Sequence, residues 1–416
     1  MFDLMKKYIT EFHKKKEYFL FLFFPILLLP VLIIRSISPF LIIRFGGLYS
    51  SRIGHLSANT ELYLCEKCEG VNKPNKPYVD IFYCRNTPIC NLYLIKLWRK
   101  VLNIWPKWII YPLAFCNESI PFGEKHIIKE NKMNDRDVLN LLDKYPPHIT
   151  LSNEDEIKGA MILYEMGLLK TSRFVCLLVR DSKYLETHIP HLRWDYHSYR
   201  DCNIQNYLQV SEYLVEQGYF VIRMGRSVKD KFISNNKSII DYANSKWASD
   251  FMDIYLAAKC TFCISTGAGW DAVPSYIFRK PTVFTNLVPF GYLPTYSNKF
   301  FLITKQHFNE KLKRQLTVSE IFNHGLHNAL DKSKYDENGI LLNENSPEEI
   351  YDIVVEMIEY INRNIDVTNE QLLLSNNFWK LYSKCFNENN NEIKLHGEFK
   401  SRYSISYLKK NKEWIK

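Results

Sequence analysis

Residues 260–286, CTFCISTGAGWDAVPSYIFRKPTVFTN, contain the pattern that decides the fold class of the chain. An apolar run ends at Ile264, and the Ser-Thr-Gly-Ala-Gly segment that follows, 265–269, is a turn that permits positive φ. A helix is predicted to begin near Trp270, with Asp271 in its first turn. The pattern therefore indicates a strand, a glycine-bearing turn and a helix in direct succession.

The end of this stretch completes the unit. Lys280-Pro281 ends the predicted helix, and the β-branched run from Thr282 to Thr285 predicts a second strand. Unpaired amides at a helix start, together with the helix dipole, attract an anion such as a nucleotide diphosphate. A tight loop that packs on a sheet edge without a ligand is the alternative interpretation.

Strands and helices alternate through much of the remaining chain. The ranges predicted as strands are 40–44, 78–83, 174–179, 219–224 and 238–240, and those predicted as helices are 53–64, 92–102, 203–217, 250–259, 347–361 and 378–386. Strands that alternate with helices at this spacing predict parallel sheets covered on both faces. The predicted class is α/β, with two Rossmann-like domains.

Four segments are predicted along the chain. Residues 1–36 form a basic and hydrophobic membrane-associating segment, and 37–170 form the first Rossmann-like domain. The second Rossmann-like domain spans 171–365, and 366–416 form a C-terminal helix with a basic tail that looks frayed.

Composition narrows the class of protein. A chain of 416 residues with 46% hydrophobic and 24% charged residues is ordinary for a globular protein. The net charge of +9 suits anionic lipids or phosphorylated substrates, and we find no nucleic-acid-binding motif, so no nucleic-acid partner is expected. The 10 cysteines are too scattered for a disulfide framework, which indicates a reducing compartment. Zinc is the alternative for Cys65, Cys68, Cys84 and Cys90, and buried thiols explain Cys260 and Cys263 better than a metal.

The N-terminus predicts contact with a membrane. Residues 18–34, YFLFLFFPILLLPVLII, are uncharged and almost wholly apolar, but Pro25 and Pro30 interrupt them. Five lysines precede this run between residues 6 and 16. We expect the segment to lie in the cytoplasmic leaflet of the inner (cell) membrane with the lysines on anionic headgroups, and a single spanning helix is the alternative. A signal peptide is disfavoured because no small-x-small cleavage site follows.

Several polar residues follow the predicted strands of the second domain. Arg180 and Asp181 come directly after one buried strand, and Arg223 and Gly225 end the next. The carboxyl edge of an open α/β sheet is where ligands bind, and Arg can form a fork onto a diphosphate. The predicted diphosphate-binding set is Arg180, Asp181, Arg223, Gly225, Ser265, Thr266, Gly267, Gly269 and Asp271. Surface salt bridges are the alternative for the arginines.

A polar and aromatic loop adds candidates for contact with a sugar or a base. Asp195, Tyr196, His197 and Tyr199 lie within the stretch WDYHSYRD. Their aromatic rings and hydrogen-bonding groups are suited to close over a ligand, although an ordered surface loop would have the same composition. An acidic pair that would hold Mg²⁺ or Mn²⁺ at a strand end is not evident, so no metal and no cofactor is expected to be required.

Five stretches together resemble a family of bacterial glycosyltransferases found in surface-polysaccharide gene clusters. They are RFGGLYSSRIGHLSANTELYL (44–64), VCLLVRDSKYL (175–185), DYHSYRDCNIQNY (195–207), GYFVIRMG (218–225) and STGAGWDAVP (265–274). The resemblance implies a GT-B fold of two Rossmann-like domains with an interdomain cleft, in which the second domain holds a nucleotide sugar. Arg279 stands where that fold usually has Gly.

The resemblance also implies an activity. The expected reaction is transfer of a sugar from a nucleotide-diphosphate donor to a hydroxyl of a surface-glycan or lipid-linked acceptor. His55 is the candidate base because its Gly-His loop is similar to that of some inverting GT-B enzymes, and Glu61 is its carboxylate alternative or its partner. A nucleotide-sugar epimerase and a non-catalytic, nucleotide-sugar-binding membrane scaffold remain as alternatives.

Overall fold

The computed structural model describes residues 24–129, 135–188, 195–362, 368–389 and 394–415. Its contacts divide the chain into two compact units. The first unit takes residues 1–52 and 66–132, and the second takes residues 53–65 and 133–416. Helix α2 (Ile53–Glu69) contributes to both units, because its residues up to Cys65 belong to the second.

A three-stranded parallel sheet forms the centre of the first unit. Its strands are β1 (Ile42–Leu48), β2 (Tyr78–Cys84) and β3 (Asn103–Ile104), in the order β1-β2-β3. The helices of this unit are α1 (Phe24–Ser36), α3 (Leu92–Trp98) and α4 (Lys107–Glu118). The aromatic and aliphatic residues Phe45, Tyr83, Ile110 and Ala114 form a small core beneath them.

A seven-stranded parallel sheet dominates the second unit. Its strands are β4 (Arg173–Leu178), β5 (Tyr219–Arg223), β6 (Ile239–Ile240), β7 (Phe262–Ser265), β8 (Thr282–Leu287), β9 (Phe300–Thr304) and β13 (Arg402–Tyr403). Their order is β13-β9-β8-β7-β4-β5-β6, and every pairing is parallel. A second, antiparallel sheet has the order β11-β10-β12, with β10 (Gln306–Asn309), β11 (Arg314–Gln315) and β12 (Ile340–Asn343). The prediction of an α/β fold with parallel sheets is therefore confirmed.

The helices of the second unit follow the capping signals in the sequence. They are α5 (Asn153–Glu165), α6 (Lys183–His188), α7 (Leu208–Glu216), α8 (Asp250–Lys259), α9 (Val318–Asn323), α10 (Lys332–Glu337), α11 (Pro347–Ile361), α12 (Asn369–Asn389) and α13 (Ile405–Lys410). Ser152 and Ser346 each form a capping box, with Asp155 and Glu349 as the reciprocal partners. Polar caps at these positions satisfy amides that the first turn of a helix leaves unpaired.

The C-terminal segment is ordered, which corrects the expectation of a frayed basic tail. Residues 402–403 add strand β13 to the edge of the large sheet beside β9. Tyr403, Tyr407 and Trp414 are buried, and the ring of Trp414 stacks on that of Phe378 at 5.6 Å between centroids. The basic composition of the segment suggested disorder. Burial of its three aromatic side chains stabilises the folded segment by more than the surrounding charge opposes it.

The predicted N-terminal membrane segment lies partly outside the described residues, and so do all of its lysines from Lys6 to Lys16. Helix α1 has 13 residues and contains Pro30. Within the part of the chain that the structure describes, no helix is long and apolar enough to cross a bilayer.

Candidate functional site

The carboxyl ends of β7 and β4 lie side by side in the large sheet. Leu178 pairs with Ser265 in the parallel register, so the segments that follow the two strands leave the sheet together. The amide of Arg180 donates to the hydroxyl oxygen of Thr266 at 2.9 Å. This bond holds the two predicted ligand-binding segments in contact at the sheet edge.

A buried chain of hydrogen bonds sets the shape of the loop after β7. The hydroxyl of Ser265 donates to Oδ2 of Asp271 at 2.7 Å, and the amide of Gly267 donates to the Ser265 hydroxyl at 3.1 Å. Gly267 has a φ of +74°, a conformation that a side chain would strain. Burial raises the pKa of Asp271 to about 7, and its bond from Ser265 and the charge of Arg200 oppose that rise.

The segment after this loop differs from the predicted α-helix. It consists of a 3-10 turn at Gly269–Asp271 and a π-helical turn at Val273–Ile277. Pro274 is the physical reason, because it has no amide to bond the carbonyl four residues earlier. The prediction of an α-helix at this position is therefore wrong in the type of helix, whereas the binding of an anion at the start of this segment stays a prediction.

Two guanidinium groups supply positive charge beside the loop. Arg200, at the end of the 3-10 helix Asp195–Arg200, donates from Nη2 to the carbonyl of Gly267. The amide of Arg180 and the side chain of Arg200 bond neighbouring residues of this loop, Thr266 and Gly267, and burial and the charge of Arg200 lower the pKa of Arg180. Nε of Arg180 is buried and makes no hydrogen bond to a residue that the structure describes, although Oδ1 of Asp201 lies 3.5 Å away as an ion-pair partner. Arg200 is not among the residues predicted to bind the diphosphate, because it ends a 3-10 helix and does not follow a strand.

Lys305 adds a third cation to this cluster. Its side chain is 4% exposed, and Nζ donates to the carbonyl of Asp201 at 2.7 Å. The carboxylate of Asp201 lies within ion-pair distance of Arg180. Burial raises the pKa of this carboxyl group. Three cations thus lie near the carboxyl groups of Asp201 and Asp271, and the raised pKa of both carboxyl groups leaves positive charge that an anionic ligand would compensate. We call Arg180, Arg200 and Lys305 the cation cluster, and Thr266 lies beside it.

Arg223 and Asp181 belong to a different set of contacts. Arg223 is 1% exposed, donates to Oδ1 of Asp241 at 3.0 Å, and lies 3.9 Å from Oδ2 of Asp181. Asp181 also accepts from the amides of Lys183 and Lys229. The charge of Arg223 is therefore already compensated by acids, so the geometry favours a structural role over contact with a ligand. Gly225 has a φ of +144° and ends this segment.

The predicted polar and aromatic loop forms the 3-10 helix that ends at Arg200. Tyr199 is buried against Tyr335, with 5.5 Å between ring centroids, so its ring packs in the protein core. Tyr196 is partly exposed, and its ring lies 3.9 Å from that of His197. Tyr196 and His197 are thus the members of this loop whose position suits contact with a ligand.

The first turn of α2 lies against the same loop. A Cβ atom on Gly54 would lie 2.9 Å from Cα of Gly269, so the two backbones are in close contact. His55 follows directly and is partly exposed. The structure therefore brings the candidate base to the loop that carries Thr266 and Gly267, within one compact unit.

Glu61 lies deeper on α2 and is completely buried. Its Oε1 accepts from Nη2 of Arg279 at 2.6 Å and lies 2.9 Å from Nδ1 of His148. Arg279 also donates to the carbonyls of Leu142 and Tyr145. This geometry favours Glu61 as an anchor for α2 over Glu61 as a base.

The same cluster is a candidate metal centre by its ligand types. Ligand atoms of Glu61, Cys65 and His148 lie within 4.8 Å of one another. However, Nη2 of Arg279 contacts both Glu61 and Cys65, the latter at 3.4 Å, so a guanidinium occupies the place that an ion would need. The residues present fit a buried ion pair better than a metal ion.

No protein-family model matches the chain, and no curated protein matches its sequence. Among solved structures, the ADP-heptose LPS heptosyltransferase II of E. coli is 12% identical, with a TM-score of 0.42 over 77% of this chain and 99% of that one. A family 9 glycosyltransferase from Veillonella parvula is also 12% identical, with a TM-score of 0.44 over 78% and 98% of the two chains. The iron-containing heptosyltransferase TibC, solved with ADP-D-β-D-heptose, gives 11% identity and a TM-score of 0.34 over 78% and 76%. Likenesses at this level leave the activity to be argued from the site.

Proposed function

We propose that the chain is a glycosyltransferase that moves a sugar from a nucleotide-diphosphate donor to a hydroxyl of a surface-glycan or lipid-linked acceptor. The observation that carries this proposal is the cation cluster, in which Arg180 and Arg200 bond adjacent residues of one loop and the buried Nε of Arg180 has no hydrogen bond among the described residues. An excess of buried positive charge beside a glycine turn is suited to a diphosphate.

The reaction that follows from this site is a displacement at the anomeric carbon. The imidazole of His55 accepts the proton of the acceptor hydroxyl as that oxygen forms its bond to the sugar. The bond from the anomeric carbon to the diphosphate oxygen breaks, and its electron pair remains on the diphosphate. Arg180, Arg200 and Lys305 stabilise the negative charge that develops there, so the proposal requires no metal and no cofactor.

The remaining predicted residues have supporting roles in this proposal. Ser265 and Asp271 hold the loop through their hydrogen bond. Gly267 supplies the positive φ of the turn, and Gly269 lets the loop pack against Gly54. Glu61 fixes α2, and through α2 the position of His55, by its ion pair with Arg279. We place the reaction at the cytoplasmic face of the inner membrane, where a lipid-linked acceptor and the basic N-terminus meet.

Release of nucleoside diphosphate from sugar nucleotides tests the reaction. The proposal expects release that depends on an acceptor extracted from membranes and that falls by about a hundredfold in His55→Ala, in keeping with loss of general-base catalysis. Donor binding should survive in that variant. An epimerase would convert the sugar without any acceptor, and a scaffold would bind the donor and release nothing.

A further inference from the structure

The first unit exposes an apolar face that its own core does not explain. On α1, the side chains of Ile26, Leu29 and Ile33 are exposed, and their spacing of three and four residues places them on one side of the helix. The opposite side of α1 carries Val31, which is buried, and α1 packs on α4. A helix that packs by one side and exposes leucine and isoleucine on another is unusual in a soluble protein.

Aromatic residues extend this face beyond α1. Trp108, in the first turn of α4, is 78% exposed, and Trp105 just before it is 51% exposed. Phe122 is 83% exposed and has a φ of +67°, a conformation that a bulky residue rarely adopts. An exposed phenylalanine held in a costly backbone conformation indicates that its orientation is used.

Hydrogen bonds join the end of α1 to the loop that carries Phe122. Arg35 donates to the side chain and the carbonyl of Asn117 and to the carbonyls of Ile120 and Pro121. Lys125 donates to the hydroxyl of Ser38 at 2.6 Å, next to the exposed Phe40. The exposed residues of α1, Phe40 and Phe122 are therefore held by one connected framework. We call Ile26, Leu29, Ile33, Phe40, Trp105, Trp108 and Phe122 the aromatic face.

The charge near α1 and the two tryptophans is positive, whereas the exposed Glu118 and Glu124 flank Phe122. Residues 24–52 and 81–117 contain no aspartate and no glutamate, whereas they contain eight lysines and arginines. Arg99 and Lys100 are exposed a few residues before Trp105. Exposed tryptophans beside cations, without an acid in either segment, match the interfacial region of an anionic bilayer.

We propose that the aromatic face of the first unit binds the surface of an anionic lipid bilayer, with Trp105 and Trp108 at headgroup depth and Arg99 and Lys100 on lipid phosphates. This membrane contact rests on the location given under the proposed function. It adds residues of the folded first unit to the membrane segment that the sequence predicted for residues 1–36. Helix α1 packs on α4, which carries Trp108, so the two parts of the aromatic face belong to one packed pair of helices.

Vesicle binding by the full chain tests the proposal without any sugar nucleotide. Vesicles of phosphatidylcholine with phosphatidylglycerol should bind the protein, and Trp105→Ala with Trp108→Ala should weaken that binding by about tenfold or more. Arg99→Gln with Lys100→Gln should weaken binding to anionic vesicles and remove most of its salt dependence. Tyr164→Ala with Ile233→Ala, and Lys311→Gln with Lys313→Gln, are matched exposed controls in the second unit, and neither should change binding.

A conservative variant removes the question of folding. In wild-type protein, lipids brominated near the headgroup should quench part of the tryptophan fluorescence, and Trp105→Phe with Trp108→Phe should abolish most of that quenching while unfolding at the wild-type temperature. Unchanged quenching or unchanged vesicle binding in the tryptophan variants would overturn the proposal, as would failure of the wild type to bind. A concentration-dependent dimer lost in the same variants would assign the face to a second copy of the chain. Binding of nucleoside diphosphates is measured separately, so that failure of the membrane proposal can be told apart from failure of the proposed donor site.

Discussion

Gly54 and Gly269, which are 215 positions apart in the sequence, touch through their backbones, with 2.9 Å between Cα of Gly269 and the position of a Cβ on Gly54. The contact brings the first turn of α2 against the loop that follows β7. Because His55 lies next to Gly54, the candidate base and the candidate phosphate loop share one location. No side chain fits at either glycine without moving the other segment.

The first prediction concerns this contact. Alanine normally favours a helix over glycine by about 1 kcal/mol, so Gly54→Ala should stabilise the protein if the contact were unimportant. We expect the opposite, a loss of about 1–3 kcal/mol in the free energy of unfolding together with weaker nucleotide binding. Urea unfolding and calorimetric titration measure the two effects.

Gly159→Ala is the matched control for that variant. A Cβ on Gly159 would lie 2.1 Å from the ring of Tyr255, so it also creates a clash in a helix, on residues other than those of the loop. It should lower stability and leave nucleotide affinity unchanged. Equal effects of the two variants on affinity would show that the Gly54 contact has no specific role.

The second prediction concerns the anchor of α2. Arg279→Ala leaves the carboxylate of Glu61 buried without its guanidinium, and loss of one partner from a buried ion pair costs about 3–5 kcal/mol. Arg279 has a φ of +53°, so Arg279→Gly should be less destabilising than Arg279→Ala by about 1 kcal/mol. Chemical unfolding of both variants measures the difference.

A double-mutant cycle decides whether the pair acts as proposed. Glu61→Gln removes the charge that Arg279 neutralises, so the loss caused by Arg279→Ala should be much smaller in the Glu61→Gln background. Additive losses would mean that Arg279 acts only through the carbonyls of Leu142 and Tyr145.

The third prediction concerns pH. The pKa of Asp271 is about 7 in the folded protein and near 4 when unfolded, because burial disfavours its charged form. The folded state therefore holds this proton more tightly, and its stabilising effect is present below about pH 4 and is lost as the pH rises through 7. Asp271→Asn, which still accepts from Ser265, should be more stable than wild type above pH 7 and should lose this advantage at low pH. A difference between the two proteins that does not change from pH 4 to pH 8 would contradict the assignment.

The sequence predicted the parts of the fold that depend on local signals. Helices α8 and α11 begin and end at the residues predicted for 250–259 and 347–361, because caps and periodicity act within a few residues. The prediction of an α-helix after Gly269 was wrong because Pro274 changes the hydrogen bonding of this segment.

Contacts between distant residues account for what the sequence could not predict. The sequence placed Arg180 and Thr266 at one sheet edge from the strand pattern, and their bond agrees with that placement. Arg200 and Lys305 were missed as members of the cation cluster. Arg200 ends a 3-10 helix and follows no strand, whereas Lys305 directly follows β9 at the carboxyl edge of the large sheet, a signal that was present in the strand order. The sequence indicated only that Arg279 stands where the fold usually has glycine. The structure shows its positive φ and its bond to Glu61.

Calorimetric titration of the full chain with UDP, GDP, CDP, dTDP and ADP tests the central claim most directly. We predict that one of these nucleotides binds, that Arg180→Ala and Arg200→Ala each weaken it by about tenfold to a hundredfold, and that Arg200→Lys restores part of the loss. Arg314→Ala, at an exposed pair with Glu320, is the matched control and should bind like wild type. Affinity that is the same in all four variants, or no binding of any nucleotide to the wild type, would contradict the assignment of the cation cluster as a diphosphate site.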